Sequence, residues 1–516
     1  MKNVDNISKM QKIASLLKEE KYNPVLPLIN ARLREKKLST SSRTKIFLYK
    51  YEALRGLRTQ EIPQIIKDFN EKIESVPDME KKADLRLQKA IKCLILSLLL
   101  TAESELQLAL EFYLKDEKRW RGKIRDCYNV LAGVFFKKSD YGQALNILQK
   151  FKALVDEEED QEATYLGMVG RVRMLKGEFN TAEKSLLKAN EIYESLGKQT
   201  NLSEGRKKWI ETMLTMGWLE LSFLNLQKRD LKKSREFIEK AETQIKTWNN
   251  KDIVSIHTKA VYLEFKGALA FAQGRNRLAH NCYREVMDMV LDLMEKERTP
   301  MEAVISQTSR LWAELLVKEK KYKQTLIACD SGFESAFEID QKVEIGAIYR
   351  VWGRIYSETG DRYKAKDHFE KSILFLNRIG ANYELALTYF ECGKSSAFDS
   401  FERNSYLDKA KKMFEKMEIN DFVDLASELQ KSLPERPISA SEALELSGVV
   451  KGINKKEGMH LVEFEVGGAP LKMKIPSSFL PPRKTNKIGA PFKLATGKQH
   501  GKLGSIFQYV DQIKKA

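Results

Sequence analysis

The densest set of side chains able to do chemistry lies at the end of the chain. Residues 447–516 carry twelve lysines and Arg483 against Glu457, Glu463, Glu465 and Asp511, so this stretch supplies +9 of the net charge of +17. Lys472, Lys474, Arg483, Lys484, Lys487, Lys493, Lys498 and Lys502 could contact phosphates, and Phe492, Phe507 and Tyr509 are available for stacking. Phosphate contacts combined with base stacking would hold DNA or RNA without a base-specific code. The competing reading is that the lysines keep a small β domain soluble and guard its edge strands, while the aromatics fill its core.

Covalent and metal chemistry has less to work with. The chain has no HExxH, CxxC or GxSxG motif, and no GxxxxGKS/T or GxGxxG between a strand and a helix. Its histidines, at 257, 280, 368, 460 and 500, are scattered. His280 and Cys282 lie two positions apart, which on a helix points them in different directions. His368, beside Phe369, reads as a surface residue of a packing helix. The six tryptophans read as packing residues, because aromatics at helical spacing usually face a core. No enzyme activity, cofactor or metal is expected.

Length and composition set the frame. A chain of 516 residues exceeds the roughly 250 to 300 at which single cores stop growing, a limit that a solenoid escapes by growing lengthwise. Hydrophobic residues make up 42%, as in a folded protein, and the positive balance points to acidic partners. An odd number of cysteines, at 93, 127, 282, 329 and 392, fits buried thiols in a reducing compartment better than a disulfide framework. The amino terminus lacks the apolar core of a secretory signal, and Lys92 interrupts the apolar run from Ile91 to Leu100. The expectation is a soluble cytoplasmic protein without membrane insertion, its oligomeric state open.

The elements that must position these residues change character near residue 433. Beyond a Pro- and Ser-containing linker, 433–446, the pattern alternates: Val462, Phe464 and Val466 against Glu463 and Glu465, then Leu471, Met473 and Ile475 against Lys472 and Lys474. Gly467 and Gly468 mark a hairpin turn. With strands near 448–453, 491–495 and 505–510, five are available, which predicts a small basic closed barrel over 447–516 that resembles SH3-like or OB-like folds.

Before the linker the period is helical. Between Val343 and Leu376, two amphipathic stretches flank Gly360 and Asp361, a helix stop followed by a helix start. The order Tyr349, Trp352, Gly353, Tyr356, Gly360, Ala365, Phe369 is similar to the tetratricopeptide (TPR) repeat consensus. Further copies include Leu166, Gly170, Gly177, Phe179, Ala182 and Leu186, and Tyr128, Ala132, Phe135, Tyr141 and Ala144. The small residues opening each second helix fall at Ala144, Ala182, Ser234, Ala279, Thr325, Ala365 and Ala410, at intervals longer than the roughly 34 residues of the standard repeat. In this the chain resembles the long-repeat arrays of bacterial signalling and transcription regulators.

The resemblance implies a mostly α fold: an α-solenoid of antiparallel helix pairs, with a repeat array at 118–432 and degenerate hairpins at 1–117 that extend and cap it. It implies an open trough lined by the first helix of each pair. Carried over to this sequence, the family's ligand-facing positions are Asn129, Arg171, Glu264, Arg310, Arg350 and Arg354. Four arginines imply a groove for an acidic peptide or a carboxylate, since guanidinium grips planar anions through paired hydrogen bonds. Alternatively the arginines are solvated or paired with a neighbour such as Glu314 or Glu358. The lysine and asparagine clamp for a chaperone's acidic tail is not matched. The leading expectation is a non-enzymatic adaptor or regulatory protein that binds a protein or peptide in the groove, its basic barrel contacting a second partner. The alternative is a nucleic-acid-binding protein in which the array is a scaffold.

Overall fold

A computed structural model describes residues 2–35, 40–155, 159–248, 252–297, 301–433, 445–454, 459–466, 469–476 and 491–495. These fall into two units, dividing between Leu433 and Pro434.

The first unit opens with α1 (Lys2–Lys18), α2 (Tyr22–Leu33) and α3 (Thr40–Ser75). Antiparallel pairs follow: α4 and α5 (Met79–Ile95, Leu99–Tyr113), α6 and α7 (Glu117–Lys137, Tyr141–Leu154), α8 and α9 (Glu159–Leu175, Phe179–Gly197), and α10 and α11 (Glu204–Gln227, Leu231–Lys246). Four more pairs of the same kind follow: α12 and α13 (Ile253–Ala272, Asn276–Glu297), α14 and α15 (Glu302–Lys318, Tyr322–Glu338), α16 and α17 (Lys342–Glu358, Arg362–Ile379), and α18 and α19 (Asn382–Lys394, Ser400–Lys416). The last helix, α20 (Asn420–Ser432), packs on α19. The mostly α, stacked-pair solenoid is therefore what the chain forms.

One turn geometry recurs. Two residues before α5, α7, α9, α11, α13, α15 and α17 the backbone enters the left-handed region, at Ser97, Ser139, Gly177, Arg229, Gly274, Lys320 and Gly360. The next residue often caps the helix, as Asp140, Asp230 and Asp361 do by accepting from a backbone N–H three residues on. Three residues into each of those helices stands a small side chain, Ala102, Ala144, Ala182, Ser234, Ala279, Thr325 and Ala365, almost completely buried. Its smallness lets the paired helices approach. One turn further a large residue meets a glycine of the first helix: a Cβ on Gly353 would lie 2.8 Å from the Phe369 ring, and one on Gly170 would lie 2.7 Å from Leu186.

Two features differ from the sequence expectation. Residues 79–113, placed there among degenerate hairpins, make a regular pair. Helices α1 to α3 pack far along the array instead: Asn30 donates to Glu295 at 2.7 Å, Lys50 bridges Glu295 at 2.6 Å, and Tyr51 donates to Glu338 at 3.1 Å. Ile13, Val25, Ile29 and Leu54 join one core with residues of α12 to α16. The trough is also not open. Lys342 donates to the Lys138 carbonyl at 3.0 Å, and Phe179 and Tyr383 bring their rings to 5.5 Å, so early pairs meet late ones.

The described residues of the second unit form a four-stranded antiparallel sheet, β1 (Glu445–Asn454), β2 (Met459–Val466), β3 (Ala469–Pro476) and β4 (Pro491–Ala495), in the order β3-β2-β1-β4. Phe464 pairs with Leu471 and Val462 with Met473, the register expected from the alternation. A closed barrel does not form: among the described residues β3 and β4 are the two edges and no pairing joins them. The SH3-like or OB-like reading is corrected to an open sheet. The expected fifth strand near 505–510 and the Gly467–Gly468 turn lie outside the described residues.

Candidate functional site: a chamber inside the array

Winding brings the first helices of eight successive pairs around one space. The chamber has a volume of about 400 Å³ and is lined from Leu94 on α4 to Tyr383 and Glu384 on α18. Met168, Met174, Met216, Phe223, Val261 and Phe265 give it largely apolar walls. Of the lining residues, Ala303 is exposed and Arg171 half-buried.

A ladder of ion pairs fixes one side. Arg310 on α14 donates through Nε to Glu344 on α16 at 2.5 Å and through Nη1 to Glu314 at 3.1 Å. Arg350 on α16 donates to the same Glu314 at 2.9 Å and also engages Glu384 on α18. Burial works against the charge on Arg310, but Glu344 and Glu314 outweigh it and hold the guanidinium charged. Burial likewise pushes Glu314 up, and Arg310 and Arg350 overcome this to hold it below the usual carboxylate range. Both arginines are almost fully buried, so their donors are committed to stapling one pair to the next.

Other polar groups line the chamber outside the ladder. Arg171 is matched by Glu220 at 2.5 Å. Glu264 is buried and accepts from Thr308 at 3.0 Å; burial raises its carboxyl well above the usual carboxylate value and so favours the protonated form. The ammonium of Lys137 donates to the Leu94 carbonyl at 2.9 Å, and burial lowers its pKa against the pull of Glu302. Burial, then Arg171 and Lys137, push the His257 imidazole below its ordinary value. Gln227 is only 6% exposed, and its side-chain oxygen has no hydrogen-bond partner.

Comparison with known proteins adds a setting. No family model matches the chain, and neither does any curated protein. Among solved structures, the apo form of RapI is 16% identical over 58% of this chain and 99% of its own, with a TM-score of 0.42. The apo form of the quorum sensor NprR from B. thuringiensis is 15% identical over 76% of this chain and 99% of its own, with a TM-score of 0.40. A Rap protein complexed with Competence and Sporulation Factor is 14% identical over 83% and 98%, with a TM-score of 0.38. Similarity at this level decides neither fold nor ligand.

Three of the six groove residues read from the sequence, Arg171, Glu264 and Arg310, line the chamber. Arg350 stands behind it in the ladder. Arg354 bridges Glu391 at 3.4 Å, and Asn129 is half-buried on α6 away from the lining. Glu314 is the neighbour named as a partner in advance, whereas Glu358 accepts from Tyr322 instead. The partners missed, Glu344 and Glu384, each lie 34 residues after their arginine, and that spacing was the available signal. Lys137, His257 and Gln227 carried no such mark.

Elsewhere, His280 accepts from Trp312 at 2.9 Å and meets Glu319 at 3.0 Å, and so is structural. His368 is half-buried rather than fully on the surface: its ring lies 5.1 to 5.8 Å from those of Tyr349, Trp352 and Tyr356. The five cysteines are free and buried. Among the described residues no helix is long and apolar enough to cross a membrane. Of the candidate nucleic-acid residues, Lys472 and Lys474 lie on β3 and Lys493 on β4. Arg483, Lys484, Lys487, Lys498 and Lys502 lie outside the described residues. With the barrel gone, the nucleic-acid reading loses the surface on which it was built.

Proposed function

We propose that this is a non-enzymatic interaction protein whose helix-pair array captures a protein or peptide segment inside its closed turn. The observation that carries this is the convergence of eight first helices on one largely apolar chamber. Its volume lies within the roughly 300 to 1,000 Å³ range of ligand sites. That space suits a short segment rather than a folded domain. The chamber's charges support binding over turnover, because Arg310, Glu344 and Glu384 are tied into the ladder and Arg171 is tied to Glu220.

Ala303 provides the test. It is exposed and lines the chamber, so the indole of Ala303→Trp would take up the ligand's space without crowding the core. Partners captured from cell extract and identified by mass spectrometry should be lost in the variant while its melting temperature stays native. Identical capture by both proteins refutes the reading.

A further inference from the structure

The chamber's polar groups do not balance, and the imbalance describes a ligand. Three ion pairs match most of its charges in place: Arg171 with Glu220, Arg310 with Glu344, and Glu384 with Arg350. Glu264 is occupied by Thr308. Among the described lining residues this leaves the Lys137 ammonium, whose hydrogen bond goes to a neutral carbonyl, that of Leu94, with Glu302 the acidic group acting on it from a distance. An ammonium held in a mostly apolar space without a direct counter-ion favours an anion brought in from outside.

A second observation is independent of charge. Gln227, at the last position of α10, lines the same chamber, is more than nine-tenths buried, and has a side-chain oxygen without a donor. A buried acceptor left unpaired is unfavourable, and a ligand N–H would relieve it. An anion, an N–H donor and an apolar body occur together at the end of a peptide.

We propose that Lys137, with His257 facing the same space, holds the free carboxyl terminus of an apolar peptide, and that Gln227 accepts a backbone N–H from that peptide. This rests on the reading of the chamber as the capture site, and it narrows the partner to a chain that ends there. A fatty acid offers the carboxylate and the apolar body but nothing to Gln227. An internal peptide segment offers the N–H but no carboxylate.

Two pools of apolar tripeptides, built from Leu, Ile, Val, Phe and Met and identical except for a free or an amidated carboxyl terminus, test the assignment on the full chain. Decanoate serves as a third probe. Affinity selection with mass spectrometry should retain free-acid members, and titration should show their amides binding about ten-fold more weakly, as loss of a charge-assisted hydrogen bond requires. Lys137→Met should remove the preference for the acid without weakening the amide, and Lys137→Arg should restore it. Gln227→Leu should weaken both peptide forms and leave decanoate unchanged. The proposal is overturned if acid and amide bind alike, if Lys137→Met keeps the preference, if decanoate equals the best peptide, or if neither pool is retained. Should Ala303→Trp abolish partner capture while acid and amide bind alike, the chamber survives as the capture site and only the carboxyl-terminal assignment falls.

Discussion

Asn382 donates its side-chain amide to the backbone carbonyl of Lys176 at 2.8 Å, although 206 residues separate them. The bond joins the turn before α9 to the start of α18, and beside it Gly177 lies against Asn382 and Met417. Together with Lys342 on the Lys138 carbonyl, it closes the winding that makes a chamber out of a trough.

Removing that bond should loosen the closure without unfolding the array. Asn382→Ala is expected to cost about 1 kcal/mol in urea denaturation, the net worth of one hydrogen bond. Hydrogen exchange should quicken together around 174–182 and 382–390 while α13 and α15 keep their protection. Independent changes in the two segments would show that they do not hold each other.

The recurring left-handed turn yields a stabilising substitution. Lys320 sits at φ 58° in the position that Gly177, Gly274 and Gly360 occupy in other pairs, and a side chain there is strained against its own backbone. Lys320→Gly should raise stability by about 1 kcal/mol, measured as a shift of the urea midpoint at constant slope. A fall in the midpoint would mean that the Lys320 side chain contributes more than the strain it carries.

The same turn explains what was legible in advance. Where it holds glycine, as at Gly177, Gly274 and Gly360, the break between helices reads directly, and the buried small residue follows five positions later at Ala182, Ala279 and Ala365. These features concern helices adjacent in sequence, so a local pattern records them. Ser97 fills the turn before α5, no glycine marks the break, and the pair carrying Ala102 passed as degenerate. In the last pair the position equivalent to Ala365 is Arg403, which donates to the Gly393 carbonyl at 2.9 Å; Ala410, chosen from the sequence, lies about two turns further along α19. Closure depends on small rotations accumulated over many pairs, and no single window of sequence holds that sum. The chamber and its Lys137, His257 and Gln227 could therefore not be assembled beforehand. In the second unit, alternation gave strands and register, but closing a barrel needs edge partners that alternation does not specify.

The ladder changes what an arginine substitution should do. As a groove residue, Arg350 could be reversed without harm to the fold. Its guanidinium is instead buried between Glu314 and Glu384, so Arg350→Met should cost about 3 to 5 kcal/mol by leaving Glu384 buried without its partner. Adding Glu384→Leu should recover most of that loss, since an apolar pair of similar volume can replace a buried ion pair. Equal destabilisation in the single and double variants would mean that the cost comes from lost packing rather than from a stranded charge.

Glu264 gives the unit a pH dependence of definite sign. An unfolded chain releases this proton near 4.5, whereas burial keeps it on the folded protein to a much higher pH. Between the two values the folded state binds more protons than the unfolded state, so this group's contribution to stability declines as pH rises. Glu264→Gln is neutral at every pH and can still accept from Thr308, so it removes the dependence without emptying the site. The melting temperature of the variant minus that of the native protein should therefore grow as pH rises above the ordinary carboxylate value of 4.5. A constant difference would show that Glu264 is ionised in the fold, with Arg310 rather than burial governing its charge.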